Sequence, residues 1–254
     1  MFLPTTIKEV RERGWDQLDV ILFSGDAYID HPAFGAAVVG RLLEAEGYRV
    51  AIVPQPNWRD DLRDFRKLGA PRLFFGISGG SMDSMVNHYT ANLRLRHDDA
   101  YTPGGKGGAR PNHAAVVYSN LIRRTFKETP IILGGIEASL RRLAHYDYWS
   151  DSLKRSILLD SGADLISYGM GERSIVEIAD ALAAGLSVSD LTFIDGTVFR
   201  TRSLEHVVDY EMLPGWEEVS GDKRAFAESF ATQYRASDPV CGSRLVETYP
   251  HGVY

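Results

Sequence analysis

The sequence predicts an α/β protein: an open parallel sheet with helices on both faces. Three observations predict it. First, between residues 130 and 184 the chain twice repeats a short apolar run, a glycine turn and a helix-like pattern. Residues 131–133 and 165–166 read as buried strands, broken by Gly134-Gly135 and by Gly169-x-Gly171 where the chain must turn. Second, Ile175, Ile178, Ala179 and Leu182 then fall on one helical face. Third, apolar runs at 18–23 and 48–53 flank a helical pattern, a βαβ unit expected to be right-handed. Such alternation makes a parallel sheet whose ligands bind at the carboxyl ends of the strands.

Taken in order, residues 6–13 predict a short helix capped by Thr5 or Thr6. Strand 18–23 leads into a loop over 24–35, in which Pro32 suits a first helical turn. Helix 36–46 stops at Gly47. Strand 48–53, a loop and a polar helix over 60–68 follow, then strand 72–78, the turn Gly79-Gly80-Ser81 and a helix within 82–89. Residues 97–113 carry no hydrophobic period, and a loop that long in a compact domain is usually functional or disordered. Helix returns over 114–127. Residues 144–151 are aromatic and polar, and 152–159 read as a helix. Asp195-Gly196 within 192–200 is a hairpin signal. A charged amphipathic helix spans 222–234, and 241–254 shows no closing element. The expected division is an α/β domain over 1–203 and a helical extension over 204–254.

Composition bounds the function. Of 254 residues, 44% are hydrophobic and 24% charged, enough to bury a large core. The net charge of -6 argues against bulk nucleic-acid binding and leaves room only for a local basic patch. Cys241 stands alone, which excludes an internal disulfide framework and any all-cysteine cluster built from this chain. No apolar run approaches the ~20 residues of a membrane span, and the N-terminus turns polar too soon for a signal peptide. The expected location is cytoplasmic, with no membrane partner.

Four segments carry a family resemblance: Arg13-Gly-Trp-Asp16, Gly25-Asp-Ala-Tyr-Ile-Asp-His-Pro-Ala-Phe-Gly35, Asp98-Asp-Ala-Tyr-Thr-Pro-Gly-Gly105 and Ile132-Leu-Gly-Gly-Ile-Glu-Ala-Ser-Leu-Arg-Arg142. Over nearly its whole length the chain resembles the N-terminal region of YgiQ-type radical S-adenosylmethionine (SAM) proteins. The resemblance implies a Rossmann-like, cobalamin-binding-like domain ahead of a radical SAM barrel, whose three cysteines in a C-x-x-x-C-x-x-C run hold a [4Fe–4S] cluster. That run is absent here. The expectation is therefore an accessory N-terminal domain that shapes or covers the active site of a missing barrel, its partner. No cofactor and no catalytic residue are expected on this chain alone, although the parent family implies [4Fe–4S] and SAM. The substrate, small or macromolecular, is unknown.

Cobalamin is the first ligand to weigh. Base-off cobalamin domains resemble D-x-H-x-x-G, then S-x-L, then G-G. Here Asp30 and Gly35 match the ends of the first motif, but Pro32 holds the ligand-histidine slot and His31 comes one place early. Ser78 fits the serine, Gly80 replaces the leucine, and Gly134-Gly135 fits the glycine pair. Proline has no donor nitrogen, so the frame is present without its cobalt ligand. The turns Gly79-Gly80-Ser81 and Gly169-Met170-Gly171-Glu172 expose N–H groups that suit a SAM carboxylate or a nucleotide phosphate; tight turn geometry and helix capping are the bland readings. The candidate binding set is thus Asp30, Gly35, Ser78, Gly79, Gly80, Gly134, Gly135, Gly169, Gly171 and Glu172.

Other groupings are weaker. Residues 103–108 lack the strand and the Lys-Ser or Lys-Thr pair of a phosphate loop. They read either as a lid whose Lys106 and Arg110 contact an anion or the barrel, or as a solvated loop. Asp26, Asp30, His31, His88, His97, Asp98, Asp99, His113 and His145 contain no diagnostic metal-binding pair. Arg141-Arg142 with Tyr146, Tyr148 and Trp149 suits base stacking or, more simply, an interface. Two rivals follow: a stand-alone cobalamin- or nucleotide-binding module, and a metal-dependent hydrolase using Asp26, Asp30 and His31.

Overall fold

A computed structural model describes residues 2–238 and 242–254; Cys241 lies outside the described residues. The chain divides into two compact units, Met1–Arg142 with Ile157–Phe199, and Leu143–Ser156 with Arg200–Tyr254.

In the first unit, α1 (Ile7–Glu12) is started by a capping box between Thr6 and Glu9. Then come β1 (Val20–Ser24), α2 (Gly35–Ala45), β2 (Val50–Pro54), α3 (Arg63–Arg66), β3 (Phe74–Ser78), α4 (Ser84–His88), α5 (Ala114–Thr125), β4 (Ile131–Gly134) and α6 (Gly135–Leu140). The polar helix expected over 60–68 shrinks to one turn. Asp60 and Asp61 side chains accept from the N–H groups of Leu62 and Arg63, and Leu62 sits at φ 62. Such local bonds compete with a helix start. The chain then makes β5 (His145–Asp147) and β6 (Ser152–Lys154) in the second unit. It returns to the first as α7 (Ile157–Asp160), β7 (Leu165–Ser167), α8 (Glu172–Ala183) and β8 (Thr197–Val198).

Six strands form one sheet in the order β2-β1-β3-β4-β7-β8, with β8 alone antiparallel. The sheet is mostly parallel with helices packed against it, as expected. Successive residues feed opposite layers: Phe23, Phe75, Leu133 and Ile166 join one buried cluster, Leu22, Phe74, Ile132 and Leu165 the other. Strands buried on both faces read as unbroken apolar runs, which is what the sequence shows. Asp19 locks the start of three strands together. Its carboxylate accepts from the Arg49 N–H at 2.8 Å, Arg49 Nη2 at 3.0 Å and Arg72 Nε at 2.7 Å.

The expected hairpin over 192–200 does not form. Gly196 makes the turn at φ 75, but the strand after it pairs with β7, and Ile194 before it is buried in the core. An otherwise unpaired sheet edge outcompetes a local partner. The expected helix over 152–159 survives only from Ile157, in α7; residues 152–154 are strand, and β5 and β6 form an antiparallel hairpin closed by Asp147, which accepts from Ser150 N–H.

The remainder of the second unit is β9 (Tyr210–Met212), α9 (Trp216–Gly221), α10 (Lys223–Ala236) and β10 (Arg244–Val246). Asp222 caps α10. The expectation of no closing element fails, because β10 pairs parallel with β9. Among the described residues no helix is long and apolar enough to cross a membrane.

Candidate functional site

Strand order 2-1-3-4 reverses direction between β1 and β3, and an open parallel sheet has a crevice at such a point, outside the strand carboxyl ends. A cavity of about 520 Å³ lies there, lined from Ser24, Ser78, Gly134 and Ser167 at the ends of four strands. The first turns of α2 and α8 border it, and neither start has a side-chain cap. Their backbone N–H groups are donors for a ligand acceptor, favoured by the helix dipole. The other walls are mainly apolar, among them Tyr28, Phe34, Ile52 and Ile175, and no lysine or arginine lines the cavity. The arrangement suits a largely apolar group carrying an acceptor edge.

Glycines permit the approach of the turns. A Cβ at Gly25 would run into the carbonyl oxygen of Gly79, and one on Gly135, at φ 78, would lie 2.5 Å from Ser78 Oγ. Ser78 Oγ itself accepts from the Gly80 N–H at 3.1 Å.

Of the ten candidate binding residues, Gly35, Ser78, Gly80, Gly134, Gly135, Gly169, Gly171 and Glu172 line this one cavity. Gly79 stands behind it, its carbonyl accepting from Arg110 Nη1 at 3.0 Å. Asp30 is turned away and held by Arg41, whose Nε donates to it at 3.0 Å. That bond, opposed by slight desolvation and aided by the arginine charge, keeps the Asp30 carboxyl below its ordinary range.

The long loop is neither an unstructured tract nor a lid carrying a free Arg110. It is tied by Asp99 N–H to Gly105 O at 2.8 Å and Gly107 N–H to His97 O at 2.9 Å. Arg110 is wholly buried, 3.0 Å from Asp26 and 3.2 Å from Asp99. Burial pushes the Asp99 carboxyl up. The Tyr101 N–H, the Arg110 charge and the Thr102 hydroxyl outweigh it, so the net direction is down. Lys106 is exposed.

Sequence reasoning missed Glu137. It is fully buried, and its two oxygens accept from Ser84 N–H and Ala115 N–H, each at 2.9 Å. One carboxylate thus serves the starts of both α4 and α5. The Ile-Glu-Ala-Ser stretch was legible as unusual, but its targets lie 22 and 53 residues away. Arg141 is buried and paired with Asp83, the α4 cap, so it is not a stacking surface. Arg142 lies over the Tyr168 ring at 4.9 Å.

The implied cofactors fit poorly on this chain. His31 is exposed and its Nδ1 accepts from the Ala33 N–H at 3.1 Å, so it does not replace the missing axial ligand at Pro32. A cluster held by three thiolates does not fit a chain with one cysteine. The hydrolase grouping also fails: Asp26 and Asp30 are each engaged by a different arginine. Among the described residues no group of three His, Cys, Asp or Glu is placed to hold a metal.

Comparison with known proteins agrees with the resemblance. A family model described as "Radical SAM N-terminal" matches residues 2–254. A UPF0313 protein of Bacteroides thetaiotaomicron is 56% identical over 97% of this chain and 42% of its own length. A UPF0313 protein of Clostridium botulinum is 49% identical over 98% and 39%. One of Methanocella arvoryzae is 51% identical over 96% and 41%. The chain thus spans about two fifths of the length of these relatives. Among solved structures, the radical SAM methyltransferase TsrM of Kitasatospora setae, with cobalamin and a [4Fe–4S] cluster bound, matches with TM-score 0.47 and 18% identity. That match covers 72% of this chain and 27% of TsrM. The same enzyme with tryptophan substrate and a SAM analogue matches with TM-score 0.46 and 20% identity over 72% and 28%.

Proposed function

Since the chain belongs to the radical SAM N-terminal family, we propose that it is the accessory α/β domain of a radical SAM enzyme of unknown substrate, covering and shaping the active site of a barrel. One observation carries the reading. The cavity at the strand ends is rimmed by exposed apolar side chains, Ile29, Ile136 and Met170, the last 83% exposed. Apolar side chains grouped around a concave site are what a partner surface buries. In this reading the [4Fe–4S] cluster and SAM belong to the barrel, where SAM cleavage supplies a radical. This chain positions and shields what the barrel acts on, and none of its residues carries the radical step.

The test uses the 254-residue chain and a separately produced segment of the Bacteroides thetaiotaomicron relative, taken from beyond its matching region. The two should associate in sedimentation velocity, and Met170→Glu should weaken association about tenfold. Independent sedimentation at concentrations of about 100 μM refutes the reading.

A further inference from the structure

A second cavity, of about 500 Å³, lies where the long loop meets α4, and no reading of the first cavity explains it. Trp58, Arg59, His88, Arg96, Arg110 and Asn112 are among its lining residues. It is distinct from the cavity at the strand ends: Asp26 lines that one, whereas its ion-pair partner Arg110 lines this one.

Its polar groups are donor-rich. Arg59 lies over the Trp58 ring at 4.5 Å and donates through Nη2 to Gly108 O at 3.0 Å. Arg96 donates through Nε to Tyr89 O at 3.2 Å. Both guanidinium groups are therefore positioned by backbone carbonyls. Among the described residues neither has a carboxylate partner, and Asp98 is the single acid in the lining. Arg110 is fully buried and its Nε–H has no partner.

His88 sets the chemistry. It is 6% exposed, and its Nδ1 lies 2.7 Å from Asn112 Oδ1. Asn112 gives its own N–H to Tyr89 Oη at 2.9 Å, so its oxygen faces the imidazole and Nδ1 carries the hydrogen. The remaining ring nitrogen, Nε2, is buried without a partner. Neutral, it requires a donor; protonated, it requires an acceptor. A phosphate monoester, whose second pKa is about 6, carries P–OH or P–O⁻ and satisfies either form. Sulfate offers acceptors only. Guanidinium groups meet phosphate oxygens in a fixed fork.

We propose that this cavity binds a phosphate group, free or as a monoester, with Arg59 and Arg96 at its exposed side and His88 as the buried contact. Inorganic phosphate, glycerol phosphate and sulfate are the probes, followed on the 254-residue chain through the His88 imidazole resonances. Phosphate and glycerol phosphate should shift those resonances saturably, and sulfate should bind about tenfold more weakly. The double variant Arg59→Gln, Arg96→Gln should lose at least about tenfold in phosphate affinity with an unchanged circular dichroism spectrum, since both side chains are exposed. His88→Gln, whose phosphate and sulfate affinities are read instead by calorimetric titration and the Trp58 indole N–H resonance, should lose the preference for phosphate over sulfate. Unmoved His88 resonances at about 50 mM phosphate, or equal binding by the double variant, would mark adventitious surface association and overturn the assignment.

Discussion

Asp19 shows how much one carboxylate can organise. Burial pushes its pKa up, but the Arg49 side chain and N–H, with Arg72, pull harder and bring it to about 2. A group whose folded pKa lies below its unfolded value stabilises the fold above that unfolded value. The contribution fades as pH falls through the folded one. Asp19→Asn should therefore lose on the order of 2 kcal/mol near neutral pH. The wild type alone should show the corresponding loss between about pH 4 and about pH 2, read from urea midpoints across that range. Gly25 is organised differently: steric space, not charge, requires glycine there, because the β1 and β3 turns touch backbone to backbone. The glycine turns at 79–80, 134–135 and 169–171 were legible in the sequence; the need for glycine at 25 shows only in the Gly79 carbonyl it makes room for.

Among the elements, α4 and α5 depend on a side chain that belongs to neither. Helix starts leave N–H groups without partners, and Glu137 of α6 satisfies one at each. Glu137→Ala should destabilise by about 2–5 kcal/mol, since two buried donors lose their acceptor. Glu137→Gln keeps one acceptor oxygen and should fall between. Hydrogen exchange at the Ser84 and Ala115 amides distinguishes a local loss from global unfolding. The strands of the main sheet were legible because both faces are buried. The elements misread, β6 and β10, are three residues long, and β8, two residues long, was read as a strand but given the wrong partner. Periodicity over so few residues does not separate strand from helix or loop, and their partners are supplied by distant segments.

Across the molecule, each unit holds a buried carboxylate, and the two shift in opposite directions, Asp19 down and Glu247 up. In the second, burial raises the Glu247 pKa, and the Tyr249 hydroxyl and Ala144 N–H do not offset it. A folded pKa above the unfolded one gives a contribution complete below the unfolded value and lost as pH rises through the folded value. Glu247→Gln should therefore make the second unit more resistant than wild type near neutral pH and no more resistant below about pH 4. Amide exchange along α9 and α10 checks this. An unchanged or lower protection near neutral pH would show that the charged carboxylate is tolerated there.

Layer architecture, glycine turns and family were readable from residue order alone, since burial on both faces, φ-permissive turns and contiguous motifs are written locally. The assembly of eight turn and helix-start residues around one cavity depended on the reversal of strand order between β1 and β3. The retirement of Arg110 from surface contact to buried anchor depended on Asp26 and Asp99, and the second cavity on the long loop folding against α4. These depend on packing between segments far apart in sequence, and a carboxylate or an arginine reads the same in a linear chain whether water or another charge will finally meet it.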